Sequence, residues 1–167
     1  MPLTRHRLDI VLVPHRSNVP LDRDAWRALH RAWDDRGWVN GDGPGTEVDR
    51  ILVGGFKRIS MDQPGRLHLY ANHQGGYRVH CGVCQNLITS VFSSALTSTR
   101  SGGPHNLRCP YCDANQALED LDFRPLAAFA LWGLVIADVE SLQLEQDAMV
   151  EAEKFLGELR VILRRVG

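Results

Sequence analysis

The sequence predicts an α+β fold: a small antiparallel sheet with an N-terminal strand and helix, a four-cysteine module, and a C-terminal helical pair. Three observations carry that prediction. Short β-branched or alternating segments, punctuated by Gly, Pro and Asn turns, fill the first 80 residues. Apolar residues spaced three and four apart dominate the second half. All four cysteines fall in two C-x-x-C pairs, Cys81–Cys84 and Cys109–Cys112. A chain of 167 residues with 44% hydrophobic content can bury a real core, so the sheet region 1–80, the cysteine module 81–121 and the helical hairpin 122–167 are expected to pack as one compact unit.

Leu8 to Val13 is rich in β-branched residues and ends at Pro14, the pattern of a largely buried strand. Asp22 stands where it can cap a helix whose apolar residues Trp26, Leu29 and Trp33 recur at helical intervals, and Gly37 closes that helix in the left-handed conformation. Gly41-Asp42-Gly43-Pro44-Gly45 reads as a loop. No Lys-Ser/Thr follows it, which argues against a phosphate cradle. Ile51 to Ile59 is expected to be a strand bulged at Gly54-Gly55, followed by a turn at Asp62–Gly65. Leu67 to Ala71 and Tyr77 to Cys81 are expected to pair as a hairpin across residues 72–76. In that register His68, Tyr70, Arg78 and His80 share one face, which offers a binding surface or, with His73, a second metal site.

The hairpin runs into Cys81-Gly82-Val83-Cys84, and 24 residues separate this pair from Cys109-Pro110-Tyr111-Cys112. Four thiols at this spacing suit the tetrahedral, sulfur-rich coordination of zinc, and a complete set of four leaves no open position for a reactant. Cys81, Cys84, Cys109 and Cys112 are therefore the expected ligands of one structural Zn2+, and His105 is a spare donor that four sulfurs make unnecessary. Disulfides would need an oxidising compartment, yet residues 1–20 hold only a short apolar run interrupted by Asp9, not a secretory signal. A thioredoxin-like redox site would leave one of the two pairs idle. Residues 80–121 resemble the zinc-ribbon and treble-clef class of modules, and no family is recognised for the chain as a whole. Between the pairs, Leu87, Ile88, Val91, Phe92, Ala95 and Leu96 predict an amphipathic helix. Asp113 to Leu121 reads as a second helix opening directly after the second pair, which brings the resemblance closer to a treble clef than to a plain ribbon.

Pro125, with Asp122 as cap, is expected to open a helix over Leu126–Ala137, apolar nearly all round and hence central. This run of 12 residues falls short of the roughly 20 that span a bilayer, so no membrane association is expected. Met149, Ala152, Leu156, Leu159, Leu163 and Val166 follow a three-four alternation, predicting a helix that packs back on the preceding one. A homodimer zipper through residues 149–166 is the alternative.

Charge is unevenly placed: bases exceed acids by three over residues 1–80, and acids exceed bases by six over residues 113–167. Arginine supplies 17 of the 19 bases, which suggests a GC-rich bacterial genome and, with no secretory signal, a cytoplasmic protein. There is no G-x-S-x-G, no H-E-x-x-H and no cysteine left over once metal is bound, so no enzymatic activity is expected. The expectation is a zinc-stabilised, non-enzymatic protein that binds another protein, as an adaptor or a toxin-neutralising immunity type. Four tryptophans and the acidic C-terminal third motivate it. The alternative is a zinc-ribbon nucleic-acid-binding protein or transcription regulator, because Arg100, His105, Arg108 and Tyr111 flank the cysteines and no acid lies between Cys81 and Cys112. A more distant one is a metal-dependent enzyme using His68, His73 and His80.

Overall fold

The computed structural model describes residues 6–167, and the fold is α+β as the sequence predicts. In chain order the elements are β1 (Arg7–Pro14), α1 (Arg23–Asp35), β2 (Val39–Asn40), β3 (Gly43–Pro44), β4 (Arg58–Asp62), β5 (His68–Tyr70), β6 (Arg78–His80) and α2 (Thr89–Arg100). They continue with β7 (Asn106–Arg108), β8 (Asn115–Ala117), β9 (Asp122–Arg124), β10 (Ala128–Ala130), β11 (Gly133–Ala137), α3 (Gln146–Leu156) and β12 (Leu159–Val166). The chain divides into two compact units, one made of Met1–Gly75 with Ala128–Gly167 and the other of Gly76–Ala127. In the chain the second unit is an insertion between β5 and β10, which pair with each other in the first.

Four antiparallel strands in the order β12-β1-β11-β4 form the main sheet of the first unit. β1 pairs along its whole length with β12, from Arg7↔Val166 to Pro14↔Leu159, and on its other side with β11 through Ile10↔Ile136. Ile10, Leu12, Ile59, Leu134 and Ile136 share a core with Leu29 and Trp33 of α1 and with Ala148, Ala152 and Leu156 of α3. Val11, Val13, Val135 and Ile162 alternate to the other face, against Tyr70 of β5 and Ala128 and Ala130 of β10. A sheet covered on both faces needs apolar residues at consecutive positions, which is why Leu8–Val13 reads as an almost unbroken run. α1 begins as expected, Asp22 Oδ1 accepting the Ala25 N–H at 3.0 Å, and ends before Gly37 at φ +73°.

The C-terminal helical pair does not form. Leu126–Ala137 contains β10 and β11 instead, and its apolar character on every side is that of strands buried on both faces, which periodicity alone does not separate from a central helix. Gly133 opens β11, and a Cβ there would lie 2.9 Å from Val11 Cγ1 and 3.0 Å from Tyr70 Cε1. Pro125 follows Arg124 through a cis peptide between β9 and β10 and starts no helix. Residues 149–166 are also two elements, the end of α3 and then β12, divided by Gly157 at φ +83°. The second half pairs with β1, so the helical zipper seam is not continuous.

Two further expectations change in the first half of the chain. Ile51–Ile59 is not one strand: a 3-10 turn at Val48–Arg50, an isolated bridge between Leu52 and Leu144, and left-handed Gly54 and Gly55 precede β4. β5 and β6 do not pair as a hairpin; β5 takes β10 and β6 takes β9. Between them, Asn72 Oδ1 accepts the Gly75 N–H at 3.2 Å and Gly76 adopts φ +82°. The common face of His68, Tyr70, Arg78 and His80 is therefore not built by that pairing.

The second unit holds two-stranded ribbons, β6–β9 and β7–β8, and α2. The helix expected between the cysteine pairs is present, beginning at Thr89 and burying Phe92 and Leu96. The rings of Tyr77, Phe92 and Phe123 lie 5.2–6.3 Å apart, in the range of favourable edge contacts. The helix expected over Asp113–Leu121 is replaced by β8 and a 3-10 turn at Leu118–Asp120, so the feature that favoured a treble clef over a ribbon is missing. β6 and β9, just outside the 81–121 span, pair with each other and belong to the same unit as the cysteines.

Candidate metal centre

Each cysteine pair folds into the same knuckle, built from the same backbone bonds at the same offsets. The N–H of Cys81 donates to Asn86 O and that of Cys109 to Ala114 O, both at 2.9 Å. The N–H of Gln85 returns to Cys81 O at 3.1 Å, and that of Asp113 to Cys109 O at 2.9 Å. This tight return requires a left-handed residue after each second cysteine, and Gln85 and Asp113 supply it at φ 64° and 65°. Inside the first knuckle the Val83 and Cys84 N–H groups point at Cys81 Sγ from 3.3 and 3.4 Å; inside the second, the Tyr111 N–H reaches Cys109 Sγ at 3.4 Å. Gly82 is required for space: a Cβ there would meet Asp120 O at 2.6 Å.

The two knuckles bring all four sulfurs within 4.8 Å of one another. Cys81 Sγ to Cys112 Sγ and Cys84 Sγ to Cys109 Sγ are both 3.7 Å, far beyond a disulfide bond of about 2.0 Å. Zinc–sulfur bonds of about 2.3 Å in a tetrahedron place sulfurs about 3.8 Å apart, so the spacing fits a tetrahedral thiolate site. Cys81 and Cys109 are buried, and Cys112 is exposed.

The surroundings favour thiolate at the first knuckle. Burial pushes the Cys81 thiol up, but the N–H groups of Cys84 and Val83 and the Gln116 amide outweigh it and bring it down to about 6. At Cys84 the Asn86 backbone N–H leads in lowering the thiol, and Asn86 Nδ2 donates to its sulfur at 3.2 Å. Cys112 has an Ala114 N–H to lower it, yet partial desolvation of its sulfur inside the cluster and the three neighbouring sulfurs push it up to about 12. The first knuckle's thiols are thus lowered and Cys112 raised by the same cluster of sulfurs, and a divalent cation among them would favour thiolate at each ligand it binds.

Gln116, on β8, is the functional residue that sequence reading misses. It is buried, its Oε1 accepts the Gly82 N–H at 2.9 Å, and its Nε2 donates to Cys81 Sγ at 3.1 Å. Nothing near it in sequence marks it, because it reaches the first knuckle from the second. Arg124 plays a related part, donating to Gln85 Oε1 at 2.8 Å while pairing with Asp122 at 2.6 Å.

Among the described residues the cysteine quartet is the group of three or more His, Cys, Asp or Glu donors placed to hold a metal. His105 lies 2.8 Å from Glu119 Oε2 and is not in it. His68, His73 and His80 are not brought together as a ligand set; the first two belong to the first unit and His80 to the second. Compared with known proteins, the chain matches no family model, no curated protein and no solved structure.

Proposed function

We propose that this is a zinc-stabilised, non-enzymatic cytoplasmic bacterial protein that binds another protein, as an adaptor or a toxin-neutralising immunity partner. One zinc on Cys81, Cys84, Cys109 and Cys112 holds the knuckles, and the knuckle tips meet the partner. The observation that carries the reading is what the knuckles expose. Each holds one large apolar side chain in water, Val83 at 66% exposure and Tyr111 at 67%, with Leu87 at 53% just after the first. Folding gains nothing from exposed apolar groups on so short a turn, whereas interfaces draw their energy from a few such anchors, Tyr prominent among them. Four sulfurs also fill a tetrahedral shell and leave the ion no vacant position for substrate.

Nucleic-acid binding has less support. Residues 76–127 carry four arginines and four acids, a balanced count. Of the arginines, Arg108 pairs with Asp113 and Arg124 with Asp122, committing cations that phosphate contacts would need.

The test compares the parent with a Val83→Asp/Tyr111→Asp variant as baits in a bacterial lysate, with metal content and melting point measured on both. The reading expects one protein recovered in stoichiometric amount by the parent and lost by the variant, whose zinc and melting point stay unchanged. Equal recovery by both baits, or retention of nucleic acid in place of protein, contradicts it.

A further inference from the structure

The face of the main sheet that β5 and β10 cover is covered only in part. Beyond the Val11, Val13 and Ile162 contacts the same face continues as an open cleft of about 280 Å³. The strand registers lay out one row across it: Arg164 on β12 opposite Asp9 on β1, and Ala137 on β11 opposite Arg58 on β4. Ala137 and Ser60 are small and Val135 is nearly buried, so the middle of the face is a trough with long side chains at its sides. Arg7 and Arg164 stand on one side, Lys57 and Arg58 on the other.

The charges are arranged, not merely present. Asp9 is fully buried, with 0% exposure, and its carboxylate is over-supplied with donors. Arg7 Nε reaches Oδ1 at 3.2 Å, Arg164 Nη2 reaches Oδ2 at 3.3 Å, and the Asp138 N–H reaches Oδ1 at 3.0 Å. One buried carboxylate needs one cation; it has two guanidiniums, each still part-exposed in the cleft, at 44% for Arg7 and 27% for Arg164. Lys57 and Arg58 make no ion pair among the described residues. Four cations thus line one concave site around one carboxylate, an excess of positive charge that costs folding energy and that a bound anion relieves. Arginine forks fixed by a buried acid suit a tetrahedral oxyanion, because the planar guanidinium presents paired donors in a set geometry.

We propose that this cleft binds a small phosphorylated compound, the phosphoryl oxygens lying between the Arg7–Arg164 pair and Lys57 with Arg58. Asp9 is a positioning residue, orienting two of the four donors without touching the ligand. A cleft of about 280 Å³ suits one or two phosphoryl groups with a small organic remainder.

The test uses the full chain, with inorganic pyrophosphate as probe against sodium chloride at matched ionic strength. Calorimetry and thermal unfolding are followed for the parent, for Lys57→Ser/Arg58→Ser and for Asp9→Asn. The expected result is saturable binding by the parent with a rise in melting point. Lys57→Ser/Arg58→Ser should bind at least tenfold more weakly while its ligand-free melting point equals the parent's, because both side chains are exposed and make no ion pair among the described residues. Asp9→Asn should weaken binding too, and should it fail to fold, the double variant decides alone. No saturable binding of pyrophosphate, or equal affinity in the double variant, overturns the proposal. So does a preference for a single-stranded oligonucleotide that strengthens with its length, which would make the cleft part of a nucleic-acid surface.

Discussion

Gln116 shows how one distant side chain bears on the cysteine cluster. Its amide joins the Gly82 N–H to the Cys81 sulfur across 34 residues of chain, and it is one of the donors that hold the Cys81 thiol down at about 6 against an ordinary value of 9. A group whose folded-state value is depressed stabilises the fold fully above its unfolded value, and that contribution fades as pH falls toward the folded one. In metal-free protein the Cys81 contribution is therefore complete above about pH 9 and lost by about pH 6. Cys112, pushed up to about 12, opposes it only above pH 9, where its unfolded form ionises first. Metal-free protein should gain stability between pH 6 and 9, and Gln116→Leu should move the lowest thiol midpoint upward and flatten that gain. Thiolate ultraviolet absorbance against pH measures the midpoint; a lowest midpoint that stays put in the variant would show that Gln116 does not govern Cys81.

At the scale of elements, Gly133 separates the strand from the helix that the apolar run suggests. In a helix Gly133→Ala would stabilise by about 1 kcal/mol, because glycine is a poor helix former. In β11 the added Cβ presses on Val11 Cγ1 and the Tyr70 ring, so the same change should destabilise by about 1–3 kcal/mol. Urea unfolding gives the sign. The residues explain which elements are legible in sequence. α1 carries its start and stop signals locally, Asp22 and Gly37, and forms where they place it. β1 is marked by β-branched composition and a closing proline. β10, β11 and β12 owe their state to distant partners, Tyr70 for the first and β1 for the other two, and no local signal encodes that pairing. Gly157 is the exception, a readable stop within the three-four alternation of residues 149–166. The gathering of Cys81, Cys84, Cys109 and Cys112 was legible because C-x-x-C is a local motif, whereas Gln116 and the row from Arg164 to Arg58 exist only after the strands pair.

At the scale of the whole molecule, one chain carries two compact units. The first buries two apolar layers, one on each side of its sheet. The second, Gly76–Ala127, has short ribbons and a single helix, the kind of module in which metal binding supplies an apparent ~10–16 kcal/mol toward folding. Removing one ligand by Cys84→Ser or Cys109→Ser should abolish stoichiometric zinc and lower the melting midpoint by on the order of 10 °C, the effect of a loss of about 4 kcal/mol at this size. A variant as stable as the parent would mean that the metal does not support the fold. The central claim is that one zinc sits in a shell closed by four sulfurs, and X-ray absorption at the zinc edge with metal quantitation tests it most directly. The account predicts one zinc per chain with four sulfur neighbours at about 2.3 Å; a nitrogen, oxygen or water ligand in that shell, or protein whose cysteines are oxidised to disulfides, would contradict it.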